Sequence, residues 1–225
     1  MEIQRNIQWF SLLLAAVAGF CDTATFIAGN GTFSAHVTGN FIIFAAEAVL
    51  NDDRNAWVKL ITFPTFIVAV IIGGWLAAKT AKRYVLLLTE GILLVFAGGT
   101  ACWLGGGQSG RYVVVMLTVL GMGLQNAFGK LFPKETHGPT TMMTGNVTQA
   151  SLDLGNLLWK GLKADPLPIE SIKKQLFLLG GFLAGCFLGG LLAKCLGLQA
   201  IILPGVTMTI FFFMRKDARL IDSPT

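Results

Sequence analysis

His36-Val37-Thr38-Gly39-Asn40 and Met142-Met143-Thr144-Gly145-Asn146 are two versions of one element, and in each an acid follows the asparagine by seven residues, Glu47 and Asp153. The likeness extends outward in both directions. Upstream, Asp22 and Asn126 sit late in glycine-bearing apolar segments, marked by Gly19 in the first and by Gly121 and Gly123 in the second. Downstream, Gly73-Gly74-Trp75-Leu76-Ala77 is matched by Gly189-Gly190-Leu191-Leu192-Ala193. Correspondences in the same order mark the chain as two copies of one unit, about 1–106 and 107–225, within a single domain of 1–225.

Composition says what solvent that unit faces. Only 13% of the 225 residues are charged and 54% are hydrophobic, with a mean hydropathy of +0.67. A soluble domain carries roughly 25% charge and could not cover its surface with so little. An ordinary cytosolic enzyme and a disordered tail are excluded, and the expected partner is the lipid bilayer. The net charge of +5 contains no run of five Lys or Arg, so it reads as loop bias in a membrane protein and no nucleic-acid partner is expected. Cys21, Cys102, Cys186 and Cys195 lie in apolar stretches without a C-x-x-C pair, so neither a metal nor a cofactor is expected. Ala16-Val17-Ala18 resembles a signal-peptidase site, but the same helix recurs mid-chain, so Ile7 onward reads as a retained span. Leu183-Ala184-Gly185-Cys186 resembles a lipoprotein box, but lies far inside the chain.

Six segments have the length and apolarity of a span, about 7–27, 58–79, 84–104, 111–131, 175–194 and 197–214. Two more, about 35–50 and 140–159, carry the Thr-Gly-Asn elements and are too polar to cross with ease. The expected fold is all-α: a polytopic membrane bundle of six transmembrane helices plus two polar broken or re-entrant helices. If those two dip and return, Lys and Arg divide 13 to four between the faces; if they cross, the division is 11 to six. The first obeys the positive-inside rule better and puts both termini in the cytoplasm. It gives each copy three crossings, and an odd number inverts one copy relative to the other.

At Gly19-Phe20-Cys21-Asp22 with His36-Val37-Thr38-Gly39-Asn40, and again at Gly123-Leu124-Gln125-Asn126 with Thr144-Gly145-Asn146, the chain resembles the YoaK-type small bacterial membrane proteins. That family is grouped under a domain of unknown function. The resemblance covers nearly the whole chain. It implies a multi-pass protein of the bacterial inner (plasma) membrane and supplies no substrate and no catalytic residue.

An ionisable group within hydrocarbon costs about 2.5–3.5 kcal/mol on insertion scales, so each one asks for a reason. Asp22 reads as an interfacial cap, as a proton or cation site, or as a partner for His36, the histidine nearest membrane depth. Its counterpart Asn126 keeps the hydrogen-bonding shape and loses the charge. Thr38, Gly39 and Asn40, with Thr144, Gly145 and Asn146, place a hydroxyl, a close-approach glycine and helix N-terminal N–H groups where an anion would be favoured. The alternative is that these glycines and amides are packing contacts between helices. Gln125 and Gln149 are expected to face the interior, Glu47 and Asp153 to mark wet helix ends, and Glu90 to lie about 10 Å past Arg83 at 1.5 Å per residue. Gly181, Gly185 and Gly189 form a small-residue stripe that packs within the monomer or makes a homodimer. Trp9, Trp57, Trp103 and Trp159 fall at span ends, as an interfacial belt requires.

No catalytic motif is present: no G-x-S-x-G, no H-E-x-x-H and no P-loop. The expectation is therefore a small secondary transporter for a polar or anionic metabolite, bound by Asp22, His36, Thr38–Asn40, Asn126, Thr144–Asn146 and Gln149. A non-transporting scaffold or assembly partner is the alternative, and an intramembrane enzyme a third.

Overall fold

The computed structural model describes residues 2–50, 55–80, 83–104, 107–160 and 167–216. Among them the chain forms eight α-helices and no strand: α1 (Glu2–Ala28), α2 (Gly39–Leu50), α3 (Val58–Thr80), α4 (Val85–Leu104), α5 (Gln108–Leu131), α6 (Thr144–Lys160), α7 (Leu167–Leu196) and α8 (Ile202–Lys216). Of the basic residues that fix topology, Arg54, Lys82, Lys163 and Arg219 lie outside the described residues.

Among the described residues, five helical runs are long and apolar enough to cross a membrane: Asn6–Ala28, Val58–Thr80, Val85–Leu104, Gln108–Leu131 and Pro168–Met214. The last, at 47 residues, would reach about 70 Å if straight, over twice the roughly 30 Å hydrocarbon layer. It is broken by the 3₁₀ turn Gly197–Ile201, where Gly197 takes a φ of 61°, a left-handed conformation that glycine adopts without steric cost. Two of the six expected spans, α7 and α8, are thereby separated.

Direction follows from what the helix ends touch. Phe10, Tyr84, Phe128 and Phe211 form one aromatic cluster, with Phe10 ring centroids 5.8, 5.9 and 5.1 Å from the other three. This first end therefore holds the beginnings of α1 and α4 and the ends of α5 and α8. Trp9 against Phe177 at 5.3 Å adds the beginning of α7. The opposite end gathers Ile27, Ala101, Arg111 and Leu196. Helix α3 runs alongside α5, with Thr65 bonded to Met116 and Gly73 set against Ala127. Helices α1, α4 and α7 thus run one way and α3, α5 and α8 the other, so corresponding helices of the two copies are antiparallel. The repeat is inverted.

The two short helices return to the side they came from. After α1, Asn30 and Gly31 take φ of 61° and 65°, and the Gly31 N–H closes on the Phe26 carbonyl at 3.0 Å, a left-handed helix stop. The chain dips to the level of Asp22 before α2 climbs back to α3. In the second copy it dips to the level of Gln125 and Asn126 before α6 climbs back to α7. The helices begin at Gly39 and Thr144, four residues later than the polar segments suggest, because the residues before them are held in the dip by side chains of α1 and α5.

The most extensive pairings all run between the copies: α1 with α7, α4 with α5, α4 with α8 and α3 with α5. Glycine lies at the α1–α7, α3–α5 and α4–α8 contacts. Gly181, Gly185 and Gly189 face the backbone of Leu12, Ala16 and Phe20, so the stripe packs within the monomer. Gly123 meets Ala69 and Gly73 meets Ala127 in the equivalent pair, while Gly91 and Gly205 meet each other where α4 crosses α8. That crossing marks the pseudo-two-fold axis. Trp9, Trp57, Trp103 and Trp159 are exposed, near the ends of their helices.

Candidate functional site

In the first copy, Asp22 on α1 clamps the dipping strand. Its Oδ1 accepts the backbone N–H groups of Ser34 at 2.8 Å, Ala35 at 2.6 Å and His36 at 3.3 Å. Its Oδ2 pairs with His36 Nδ1. This bond pushes the His36 imidazole above its ordinary pKa, with partial burial pulling the other way. Asn40 closes a loop of its own: its Oδ1 accepts from Phe33 N at 2.8 Å, and its Nδ2 donates to Phe33 O at 2.8 Å and Thr62 Oγ1 at 2.9 Å. The first N–H groups of α2 are also occupied, Gly39 by His36 O, Asn40 by Val37 O and Phe41 by Thr38 O. Expectation and structure agree on the Asp22–His36 partnership, but the N-terminus of α2 is closed by its own turn.

The second copy repeats the plan and leaves it open. Asn126 Nδ2 donates to Thr141 Oγ1 at 2.8 Å, and Gln125 Nε2 donates to Thr140 Oγ1 at 3.0 Å and Leu14 O at 2.9 Å. Asn146 reaches back to Pro139 O at 2.9 Å, as Asn40 does to Phe33, but Pro139 has no N–H to offer in return. The backbone bonds around α6 begin only at Val147, which donates to Met143 O. The N–H groups of Thr144, Gly145 and Asn146 therefore remain available at a helix N-terminus. Of these three, Gly145 lines a cavity of about 390 Å³ together with Gln125, Asn126, Lys130 and Thr141, a size suited to a small metabolite. Gln125 is fully buried, and its Oε1 has no hydrogen-bond partner.

The two half-sites do not converge. Gln125 is level with Leu14 through their hydrogen bond, and Asp22 lies eight residues further along α1, about 12 Å away at 1.5 Å per residue. Asp22, His36 and Thr38–Asn40 form one cluster; Asn126 and Thr144–Asn146 belong to the other. Gln149, expected to face the interior, is instead exposed, and its Nε2 donates to Asp153 Oδ1 at 3.0 Å; four residues apart on α6, the two share a face.

Of the two acids expected at wet helix ends, Glu47 keeps 22% of its side chain exposed and Asp153 departs from expectation. Glu47 is paired at 2.6 Å with Lys59, which is only 2% exposed and so is no loop charge. Asp153 is buried, with its Oδ2 unpartnered. Sequence reading missed Gln125 as a cavity residue, although it adjoins Asn126 and carries an amide into an apolar helix. A second cavity of about 390 Å³ opens at the opposite end around Arg111 and Gly197–Gln199, away from both Thr-Gly-Asn elements.

A family model described as protein of unknown function (DUF1275) matches residues 10–214, a span that contains both half-sites. The chain belongs to the DUF1275 family. The resemblance carried by His36–Asn40 and Thr144–Asn146 is consistent with that membership. No curated protein and no solved structure matches the chain. Membership in DUF1275 brings no substrate with it, so chemistry has to be argued from the side chains. Among the described residues, no group of three or more His, Cys, Asp or Glu could hold a metal ion.

Proposed function

We propose that this DUF1275 protein is a small secondary carrier of the inner membrane, with both termini cytoplasmic, whose cargo is a small carboxylate bearing a hydroxyl or amine. The observation that carries the reading is the inverted pair of re-entrant helices, one of which opens onto a cavity with complementary chemistry. The Gly145 N–H at the start of α6 and the exposed Lys130 favour a negative group. The unpartnered Gln125 Oε1 asks for a donor from the same molecule. Half-sites at different depths suit alternation, since each lies nearer one end of the bundle.

The test uses purified protein with lactate, serine, glycine and succinate as probes, first by thermal shift and then by uptake into proteoliposomes. The expected result is stabilisation and uptake of at least one hydroxy- or amino-carboxylate. Lys130→Met raises its half-saturating concentration without lowering the Tm of the unliganded protein. No stabilisation by any of the four, or an unchanged half-saturation in Lys130→Met, refutes the proposal.

The scaffold alternative draws support from the dense packing at Asp22, where Ser34, Ala35 and Val37 are all buried. It predicts that a cysteine at Thr141 stays unreactive to soluble thiol reagents from either side of the membrane, whereas a carrier exposes it.

A further inference from the structure

Glu90 belongs to neither half-site. It lies on α4, is 0% exposed, and neither carboxylate oxygen has a hydrogen-bond partner among the described residues. Its Cγ lies against Gly121 of α5, 3.7 Å from where a Cβ there would sit. Gln125, at the floor of the cavity, is one helical turn along α5 from Gly121, about 6 Å. The next residue on α4, Gly91, is the one that meets Gly205 and Thr209 of α8 on the pseudo-two-fold axis. The acid therefore sits directly behind the cavity, beside the point about which the copies are related.

An ionised carboxylate without a donor or counter-ion is untenable in such a place. A metal cation would need several oxygen ligands, and Gly121, Gly91 and Leu94 bring no side-chain oxygen to this position. Nor, among the described residues, does a charged neighbour stand in. Gly121 on α5 and Gly205 and Thr209 on α8 are uncharged. On α3, Lys59 is committed to Glu47 and Lys79 lies over Trp75. From α1, the fully buried Cys21 brings a thiol and no counter-charge.

We propose that Glu90 is a proton-binding site, held as the neutral acid in this conformation and able to lose its proton only when the α4–α5–α8 packing opens. A leucine or glutamine would fill the same space; the property only an acid adds is a charge that can be switched. Such a switch behind the cavity makes opening of the bundle pH-dependent. That coupling rests on the carrier reading, whereas the proton site does not.

Infrared spectroscopy of the purified protein at neutral pH tests the site directly. The expected result is a protonated-carboxyl C=O band that disappears in Glu90→Gln and survives in Glu135→Gln, whose carboxylate is held by Arg83 and Tyr84. Dicyclohexylcarbodiimide, which attacks protonated carboxyls in apolar surroundings, should label the Glu90 peptide of the wild-type protein, a measurement that needs no variant to fold. Absence of both the Glu90-dependent band and the label overturns the proposal. For the coupling, thiol labelling of Thr141→Cys should change at least several-fold between acidic and alkaline pH, and become pH-independent when Glu90→Gln is added. Equal pH dependence in both overturns it. None of these readouts requires a transported substrate, so failure of the carrier reading is seen separately in the uptake assay.

Discussion

Gly180 and Gly185 stand on the same helix, five residues apart, and should answer alanine substitution with opposite signs. A Cβ at Gly180 meets nothing within 4 Å. Alanine there gains only helix propensity, about 0.5–1 kcal/mol. A Cβ at Gly185 would stand 2.7 Å from the carbonyl carbon of Ala16 and 2.8 Å from its Cα, against an ordinary carbon–carbon separation of about 3.5–4.0 Å. Those atoms are backbone, so relief requires α1 and α7 to part along the whole glycine stripe. Overpacking costs about 1–3 kcal/mol, and rigid backbone on both sides argues for the upper end. Subtracting the propensity gain leaves a net loss of about 2 kcal/mol.

For a chain of this size, 1 kcal/mol moves Tm by about 2–4 °C, so Gly185→Ala should lower it by about 4–8 °C and Gly180→Ala raise it by about 1–4 °C. Thermal unfolding in one detergent, followed by tryptophan fluorescence, reads both. An unchanged or raised Tm in Gly185→Ala would refute the intramolecular α1–α7 contact and turn the stripe outward.

The buried ion pair should be strongly asymmetric: Glu47→Gln strands the Lys59 ammonium and is expected to cost about 3–5 kcal/mol. The double variant Glu47→Leu with Lys59→Met should recover most of that Tm in the same assay, and its failure to do so would deny the pairing. The His36–Asp22 bond should make stability pH-dependent. Because the folded state raises the imidazole pKa, the contribution is full below the ordinary histidine value of about 6.5 and is lost as pH rises through the higher folded value. A Tm-against-pH curve for His36→Gln should lack that decline, and an identical curve would remove His36 from the account.

The doubled Thr-Gly-Asn element made the inverted architecture legible, because it fixed the repeat and the repeat fixed the parity of crossings. Glycines were legible as packing sites but not as partners. Gly189 reads the same whether it faces Phe20 or another chain, since a missing side chain carries no address. The difference between the two elements turned on single residues whose effect is non-local. Pro139 stands where Phe33 has an N–H, and the backbone bonds made by the Gly39 and Asn40 N–H groups have no equivalent at Gly145 and Asn146. Lys59 falls at an ordinary distance from the end of its span, so position alone makes it a loop charge, and only the Glu47 contact draws it inward. Gln125 and Glu90 are polar residues in apolar helices, visible as anomalies, yet their vacant oxygens depend on which neighbours the bundle supplies.

The cross-pairing of α1 with α7 and α3 with α5 has a consequence for how the chain comes to exist. Neither half can complete its own interior. As the ribosome delivers the protein, the first copy enters the bilayer with the backbone surface of Leu12, Ala16 and Phe20 uncovered, and it stays so until Gly181–Gly189 has been synthesised. The nascent first half must therefore be guarded, by lipid or by the insertion machinery, over most of the time of synthesis. The last helices to arrive close the structure, and a product truncated before α7 would be a target for membrane quality control.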